Sequence, residues 1–306
     1  MLVTDEPTIL TQHAIRTWFG IGGGADRYCQ PRSVEELRRC VEIDPALRVL
    51  GDGANLLVDD DGVGELVVEL NAAAFTAWEI DARSGRVRVG AGANLPKLIN
   101  ETVRQGLGGI EGLAGIPATV GGALVMNAGG AFGQIADVVA RVFAIDRAGR
   151  EIVLERSRIA FDYRVSGLNE LILTGAELQL TPGDTAALRT KQKDVMAYKK
   201  NSQPMADKSA GCCFKNPTLR VPLKAADIEA AAGQRVSAGM LIDKAGLKGL
   251  RVGGAEVSPR HANFMVTSAD AKAGDVIELM KLVQQRVRDT LGVELHPEVV
   301  VWSRAS

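Results

Sequence analysis

Apolar positions recur with helical spacing in Arg32-Ser33-Val34-Glu35-Glu36-Leu37-Arg38-Arg39-Cys40-Val41, where Val34, Leu37 and Val41 share one side. Ser33, followed three residues later by Glu36, forms a capping box, so this stretch predicts an amphipathic helix opening at Ser33. The pattern then shortens. Arg48-Val49-Leu50 is a brief apolar run leading straight into Gly51-Asp52-Gly53-Ala54-Asn55-Leu56-Leu57-Val58, which reads as a strand feeding a glycine turn. Strand-like runs follow at 66–70 and 86–90. Leu95 to Val103 looks helical, with Pro96 in the first turn where its missing N–H costs least. Residues 140–146 and 151–154 predict strands paired across a turn at Arg147-Ala148-Gly149-Arg150. Residues 171–180 predict another strand, and 185–198 a polar helix that closes this half near Asn201-Ser202-Gln203-Pro204.

Beyond Pro204 the pattern turns to short helices and strands, at 225–232, 240–245 and 260–266, and then to a strongly periodic helix from Asp275 to Leu291. This reads as a separate, smaller α+β domain. The chain closes on Val293-Glu294-Leu295-His296-Pro297-Glu298-Val299-Val300-Val301-Trp302, expected to be a strand in which Glu298 is flanked by apolar residues. A carboxylate there is either exposed on a strand face or buried, and if buried it tends to hold its proton.

Length and composition narrow the classes. A chain of 306 residues exceeds a comfortable single core, so two or three domains are expected. A net charge of −1 and 4% aromatic residues supply neither a basic field nor stacking platforms for nucleic acid. Four cysteines, two of them adjacent, do not form a secreted disulfide framework, and no Cys and His set has zinc-ligand spacing, so no metal is expected. Met1 to Gln12 carries acids without an apolar run, and no eighteen-residue apolar span occurs; the expectation is a cytoplasmic protein with no membrane partner.

Three features carry candidate chemistry. Ala210-Gly211-Cys212-Cys213-Phe214-Lys215-Asn216-Pro217 sets a thiol, a cation and an amide in one turn-rich segment, although a vicinal Cys pair is more often inert packing. Gly112-Leu113-Ala114-Gly115-Ile116-Pro117-Ala118-Thr119-Val120-Gly121-Gly122-Ala123-Leu124-Val125-Met126-Asn127-Ala128-Gly129-Gly130 is too rich in small residues to cover its own backbone. With the Gly51 turn it points to a large phosphate-bearing cofactor. Leu56 stands where a third glycine of G-x-G-x-x-G would fall, and no G-K-[ST] follows a glycine loop, so Rossmann and P-loop folds are disfavoured. Finally, Arg164 in Phe161-Asp162-Tyr163-Arg164-Val165-Ser166 could offer a planar fork to a carboxylate, though most arginines merely face solvent.

Taken in order, these segments resemble the UDP-N-acetylenolpyruvoylglucosamine reductase (MurB) family, flavoenzymes of peptidoglycan precursor synthesis. Thr17-Trp18-Phe19-Gly20-Ile21-Gly22-Gly23-Gly24-Ala25-Asp26 resembles its N-terminal motif, and Gly51 to Leu57 and Gly115 to Gly129 its two flavin loops. Ala210 to Pro217 resembles its catalytic loop. Ser237 to Asp243, Val257-Ser258-Pro259-Arg260-His261-Ala262-Asn263-Phe264 and His296-Pro297-Glu298-Val299 complete the set, which spans nearly the whole chain.

The resemblance implies an α+β protein: a two-part FAD-binding framework of the PCMH or vanillyl-alcohol-oxidase type, plus a smaller substrate domain. The implied divisions are residues 1–72 (joined by the C-terminal strand 293–306), 73–203 and 204–292. It further implies NADPH-dependent, FAD-mediated reduction of an enolpyruvyl UDP-sugar, with Cys212 as proton donor and with Arg164 and Glu298 stabilising the enolate-like species. Flavin contacts are implied at Gly51, Asp52, Gly53, Ala54, Asn55 and Leu56, and at Gly115, Pro117, Ala118, Thr119, Gly121, Gly122, Ala123 and Asn127. Lys215 and Asn216 fall where the family contacts the nucleotide part of the substrate. FAD is expected to be non-covalent, since none of His13, His261 and His296 lies in a glycine loop. The partners are the UDP-sugar and NADPH, with no nucleic acid and a monomeric chain.

Two positions depart from the family. Cys212 stands where serine is usual, and a thiol is the stronger acid. Ala118 stands where glycine is common. The chain also resembles the shorter type, lacking an extra loop after Tyr163-Arg164. Two alternatives stay open: an oxidase or dehydrogenase on the same flavin framework, which would need a base rather than a proton donor, and a non-catalytic UDP-sugar binding protein, which would carry no flavin.

Overall fold

The computed structural model describes residues 6–304. Residues 1–5, the start of the acid-bearing N-terminal stretch, and 305–306, the end of the expected C-terminal strand, lie outside the described residues. The chain divides into two compact units, and each draws on separated stretches of sequence.

The first unit comprises Met1–His13, Ala25–Asp52 and Gly64–Lys199. One of its sheets orders the strands Ile9–His13, Ala25–Cys29, Val63–Glu69 and Arg48–Leu50, the first pair antiparallel and the last pair parallel. The expected helix between them runs from Val34 to Ile43. Ser33 caps it by accepting from the Glu36 amide at 3.1 Å. The reciprocal arm of the box lands one residue upstream: Glu36 accepts from the Arg32 amide at 2.8 Å and from its guanidinium at 2.6 Å. Glu36 is buried, and the Arg32 guanidinium holds its carboxyl below the usual carboxylate range.

The second sheet of this unit is antiparallel, ordered Glu151–Glu155, Val139–Ile145, Ile172–Gln179, Arg86–Gly90 and Trp78–Asp81. Period-two alternation in Arg86-Val87-Arg88-Val89 buries the valines and exposes the arginines. Asn94 caps the helix Leu95–Arg104 by accepting from the Lys97 amide at 3.0 Å, with Pro96 in its first turn. Leu95, Leu98, Ile99 and Val103 enter the same core as Val87, Val142 and Leu178. Burying a side chain of this size contributes roughly 1.5–3 kcal/mol, so the core holds the glycine-rich segment 112–130 on a firm base.

The second unit comprises Ala14–Gly24, Gly53–Val63 and Lys200–Ser306. Its longest helix, Ala273–Leu291, buries Val276, Leu279, Val283 and Val287 and ends at Gly292, whose φ of 68° is the left-handed stop. Alongside stand the helix Ala238–Lys244 and a three-stranded sheet of Arg251–Val252, Ala255–Val257 and Met265–Thr267. Residues 223–230 fold as a hairpin, with Ala226 and Asp227 at positive φ in its turn.

One expectation is corrected here. Residues 293–302 are not a continuous strand: only Val300–Trp302 is, and it pairs in parallel with Leu56–Val58. Pro297 has no N–H to give to a ladder. The flanking backbone is committed elsewhere, since Lys215 donates to the His296 carbonyl at 2.9 Å and Glu298 to the Cys213 carbonyl at 2.7 Å. Among the described residues no helix is long and apolar enough to cross a membrane.

Candidate active site

In the second unit, the segment 212–215 runs as an extended thread between two other stretches. Cys212 bridges Phe264 and Phe214 bridges Pro297, both antiparallel. The two cysteines differ sharply. Cys213 is fully buried, and burial pushes its thiol up to about 12, so it stays a packed, protonated thiol. Cys212 is only half-buried, and Gly211 beside it takes a φ of 77°, with open space where a side chain would project. The vicinal pair therefore divides into a packing residue and a reachable one.

Glu298 is tied to this thread through its backbone. Its amide donates to the Cys213 carbonyl at 2.7 Å, and its own carbonyl accepts from Asn55 Nδ2 at 2.9 Å. The Val300 amide in turn donates to the Asn55 carbonyl at 3.0 Å. One residue of the first glycine loop, the acid and the thiol-bearing segment thus share one hydrogen-bonded frame. The carboxylate of Glu298 is half-buried rather than enclosed.

The first loop is shaped by close backbone approach. Gly53 has φ 66°, and a Cβ there would lie 2.3 Å from the Arg16 carbonyl oxygen, while the Trp18 amide donates to the Gly53 carbonyl at 3.1 Å. The N-terminal motif therefore packs on this turn, and only glycine fits at Gly53. Ala54 is half-buried and Leu56 is buried. Lys215 is half-buried, its amide bound to His296. Asn216 uses Oδ1 to accept from the Ala238 amide at 2.9 Å, at the start of the helix Ala238–Lys244.

In the first unit, Gly51 lies against the second loop: a Cβ on it would sit 3.0 Å from Thr119 Oγ1. Asp52 beside it is exposed. Thr119 also caps the short helix Val120–Val125, accepting from the Gly122 amide at 3.2 Å, and Ala123 closes its first turn onto the Thr119 carbonyl at 2.9 Å. This helix, inside a glycine-dense stretch, was not expected from the pattern. Gly121 allows it, since its amide reaches the Ala91 carbonyl at 2.7 Å and a Cβ would press on Ala91 at 3.1 Å. Gly115, Pro117 and Ala118 stay half-buried, and the Ala118 carbonyl accepts from the Leu95 amide at 2.9 Å. Its methyl is accommodated.

Arg164 sits in a two-residue turn closed by the Asp162 and Val165 amides, which donate to each other's carbonyls at 2.9 and 3.1 Å. Its φ of 57° is left-handed, an unfavourable conformation for a long side chain and one that clusters at functional sites. Asn127, also at positive φ (41°), buttresses the turn: Nδ2 donates to the Asp162 carbonyl at 2.8 Å and to Gln134 Oε1 at 3.0 Å. The Arg164 guanidinium lies over the Tyr163 ring at 5.2 Å and donates to the Gly129 carbonyl at 2.9 Å.

A further cation went unnoticed in the sequence. Lys199 folds inward and donates to the Ala114 carbonyl at 2.7 Å, against Gly115. Burial first, and Arg164 second, lower its ammonium to about 8. A lysine in a polar helix carries no sequence signal of this. The sign is definite: between pH 8 and the ordinary lysine value the unfolded chain binds the proton and the native chain does not, so stability rises with pH in that window. We expect the melting temperature of wild type to gain on that of Lys199→Met between pH 8 and 10, read by differential scanning calorimetry. A pH-independent difference would show Lys199 titrating normally.

A flavin dinucleotide is compatible with these loops: Gly53 admits no side chain, and residues 115–119 are partly exposed in a glycine-rich stretch whose backbone can meet phosphate oxygens. Among the described residues no group of three or more His, Cys, Asp or Glu side chains could hold a metal.

This chain is similar to known proteins over nearly all of its length. The profile of the UDP-N-acetylenolpyruvoylglucosamine reductase C-terminal domain matches residues 203–302, and that of an FAD binding domain matches residues 25–155. The UDP-N-acetylenolpyruvoylglucosamine reductase of Moorella thermoacetica is 39% identical, covering 98% of this chain and 93% of its own. That of a Bradyrhizobium species is 35% identical over 92% of this chain and 88% of its own. The crystal structure of the Thermus caldophilus reductase superposes with a TM-score of 0.78 at 39% identity, covering 97% of this chain and 99% of that one.

Proposed function

The chain belongs to the UDP-N-acetylenolpyruvoylglucosamine reductase family, and from that premise we propose that Cys212, Arg164 and Glu298 carry the family's reaction here. The reaction is the FAD-dependent, NADPH-driven reduction of UDP-N-acetylglucosamine enolpyruvate to UDP-N-acetylmuramate in peptidoglycan precursor synthesis. The observation that carries the assignment is the shared frame of the thiol-bearing segment and Glu298, joined by the Glu298 amide and the Cys213 carbonyl.

The chemistry FAD supplies when bound is delivery of a hydride, taken from NADPH, to the methylene carbon of the enolpyruvyl group. Gly51, Asp52, Gly53, Ala54, Asn55 and Leu56, with Gly115, Pro117, Ala118, Thr119, Gly121, Gly122, Ala123 and Asn127, would hold the cofactor. Arg164 binds the substrate carboxylate and favours the negative charge that develops on it, which is the differential stabilisation catalysis requires. Glu298 helps stabilise the same enolate-like species. Cys212 passes its thiol proton to the carbon next to the one reduced, and the thiolate recovers a proton from water. Lys215 and Asn216 contact the nucleotide part of the substrate, Asn216 from the start of the helix Ala238–Lys244, where its Oδ1 holds the Ala238 amide. The three-part division 1–72, 73–203 and 204–292 and a cytoplasmic monomer belong to the same reading.

An anaerobic visible spectrum tests it. The purified protein shows a flavin band that bleaches with NADPH and returns on addition of the enolpyruvyl UDP-sugar. Return with oxygen alone would point to an oxidase, and a colourless protein that cannot be reconstituted with FAD would end the flavoenzyme reading.

A further inference from the structure

We infer that Asn263, a residue to which no role attaches so far, is the positioning residue that sets Cys212 in its catalytic orientation; this rests on the reading of Cys212 as proton donor. The Asn263 side chain imitates a peptide unit. Its Oδ1 accepts from the Phe214 amide at 3.0 Å and its Nδ2 donates to the Phe214 carbonyl at 2.8 Å, while its own carbonyl accepts from the Cys213 amide at 2.8 Å. Asn263 is 3% exposed, Phe214 1% and Cys213 0%, so no water replaces these bonds if the side chain is lost.

The loop that presents Asn263 is closed on itself. Ser258 Oγ accepts from the Arg260 amide at 3.2 Å, the Phe264 amide donates to the His261 carbonyl at 2.9 Å, and the Ser258 amide donates to the Phe264 carbonyl at 2.8 Å. The Asn263 amide is held by His261 Nδ1 at 3.3 Å. From this base Asn263 grips one edge of the thread while Glu298 grips the other through the Cys213 carbonyl. Both groups of the Cys213 backbone are therefore fixed, on opposite edges, one peptide bond from Cys212. Few side chains replace asparagine here. Aspartate offers acceptors only and sets a carboxylate against the Phe214 carbonyl, and alanine leaves two buried backbone groups unpaired.

The test uses the FAD-loaded enzyme and three variants, Asn263→Asp, Asn263→Gln and Cys212→Ala. Stopped-flow absorbance follows flavin reduction by NADPH and reoxidation by the enolpyruvyl UDP-sugar separately. Mass spectrometry follows iodoacetamide labelling of Cys212 at fixed pH. We expect Asn263→Asp to slow reoxidation about 10²-fold, the order lost when a reacting group is misplaced by about 1 Å. Flavin reduction should stay within about twofold, and Cys212 labelling should quicken about tenfold as the loop opens.

Reoxidation and labelling at wild-type rates in Asn263→Asp overturn the proposal, whatever Cys212→Ala does. Full activity in Cys212→Ala, alongside fast labelling in Asn263→Asp, instead removes the donor assignment and leaves Asn263 holding the loop. Should Asn263→Asp not fold, Asn263→Gln carries the test. It keeps donor and acceptor but displaces them by one methylene, and wild-type reoxidation in it would equally overturn the proposal.

Discussion

Cys212→Ala will lower the rate of substrate-dependent flavin reoxidation by about 10²- to 10⁴-fold, the range typical of a lost general acid, while leaving flavin reduction by NADPH within about twofold. The split between half-reactions is the decisive part. Proton delivery to carbon belongs only to the second half-reaction, so a variant that slowed both would point to a damaged fold or weakened cofactor binding. Cys212→Ser restores a donor of the family's usual type. It should recover most of the rate, with less dependence on pH near neutrality because a hydroxyl does not ionise there. Alkylation gives a second arm. Iodoacetamide should inactivate the wild type and spare Cys212→Ser, because Cys213 is sealed and its thiol stays protonated. Undiminished activity after complete alkylation of Cys212 would remove it from the mechanism.

The sequence carried those parts of the fold whose signals are local. Ser33 and Glu36 marked a helix start, Pro96 another, and the pattern in Arg86 to Gly90 its strand, because such signals act over a few residues. The candidate loops were legible for a similar reason: chain that excludes side chains must be rich in glycine. What failed was non-local. The run 293–302 has strand composition, yet residues 296–298 spend their backbone groups on the segment 213–215, a partner some eighty positions away in sequence, as about 80 residues of intervening domain fold between them. The contacts of Asn263, a residue inside a quoted motif, and the burial of Lys199 were invisible on the same grounds. Neither asparagine in a loop nor lysine in a polar helix announces a partner, and only burial against Phe214 and Ala114 turns them into constraints.

Arg164 should show the second large effect, with Arg164→Met losing about 10²- to 10³-fold in kcat, as for removal of one electrostatic stabiliser of a developing anion. Arg164→Lys keeps the charge and the backbone but not the planar fork, so it should recover only part of that loss and mostly in KM, since a point charge still attracts a carboxylate. The backbone supplies an independent check. A non-glycine residue at φ 57° stores strain of about 1–3 kcal/mol, and on the proposed role the turn keeps it to project the guanidinium. Arg164→Gly should therefore melt higher than Arg164→Met while being equally inactive, since both lose the guanidinium and only glycine relieves the strain. The two variants would then differ in stability at equal activity, which separates the backbone strain from the role of the guanidinium. If Arg164→Gly instead retained wild-type kcat, the carboxylate would be bound by another group and the assignment of Arg164 would fail.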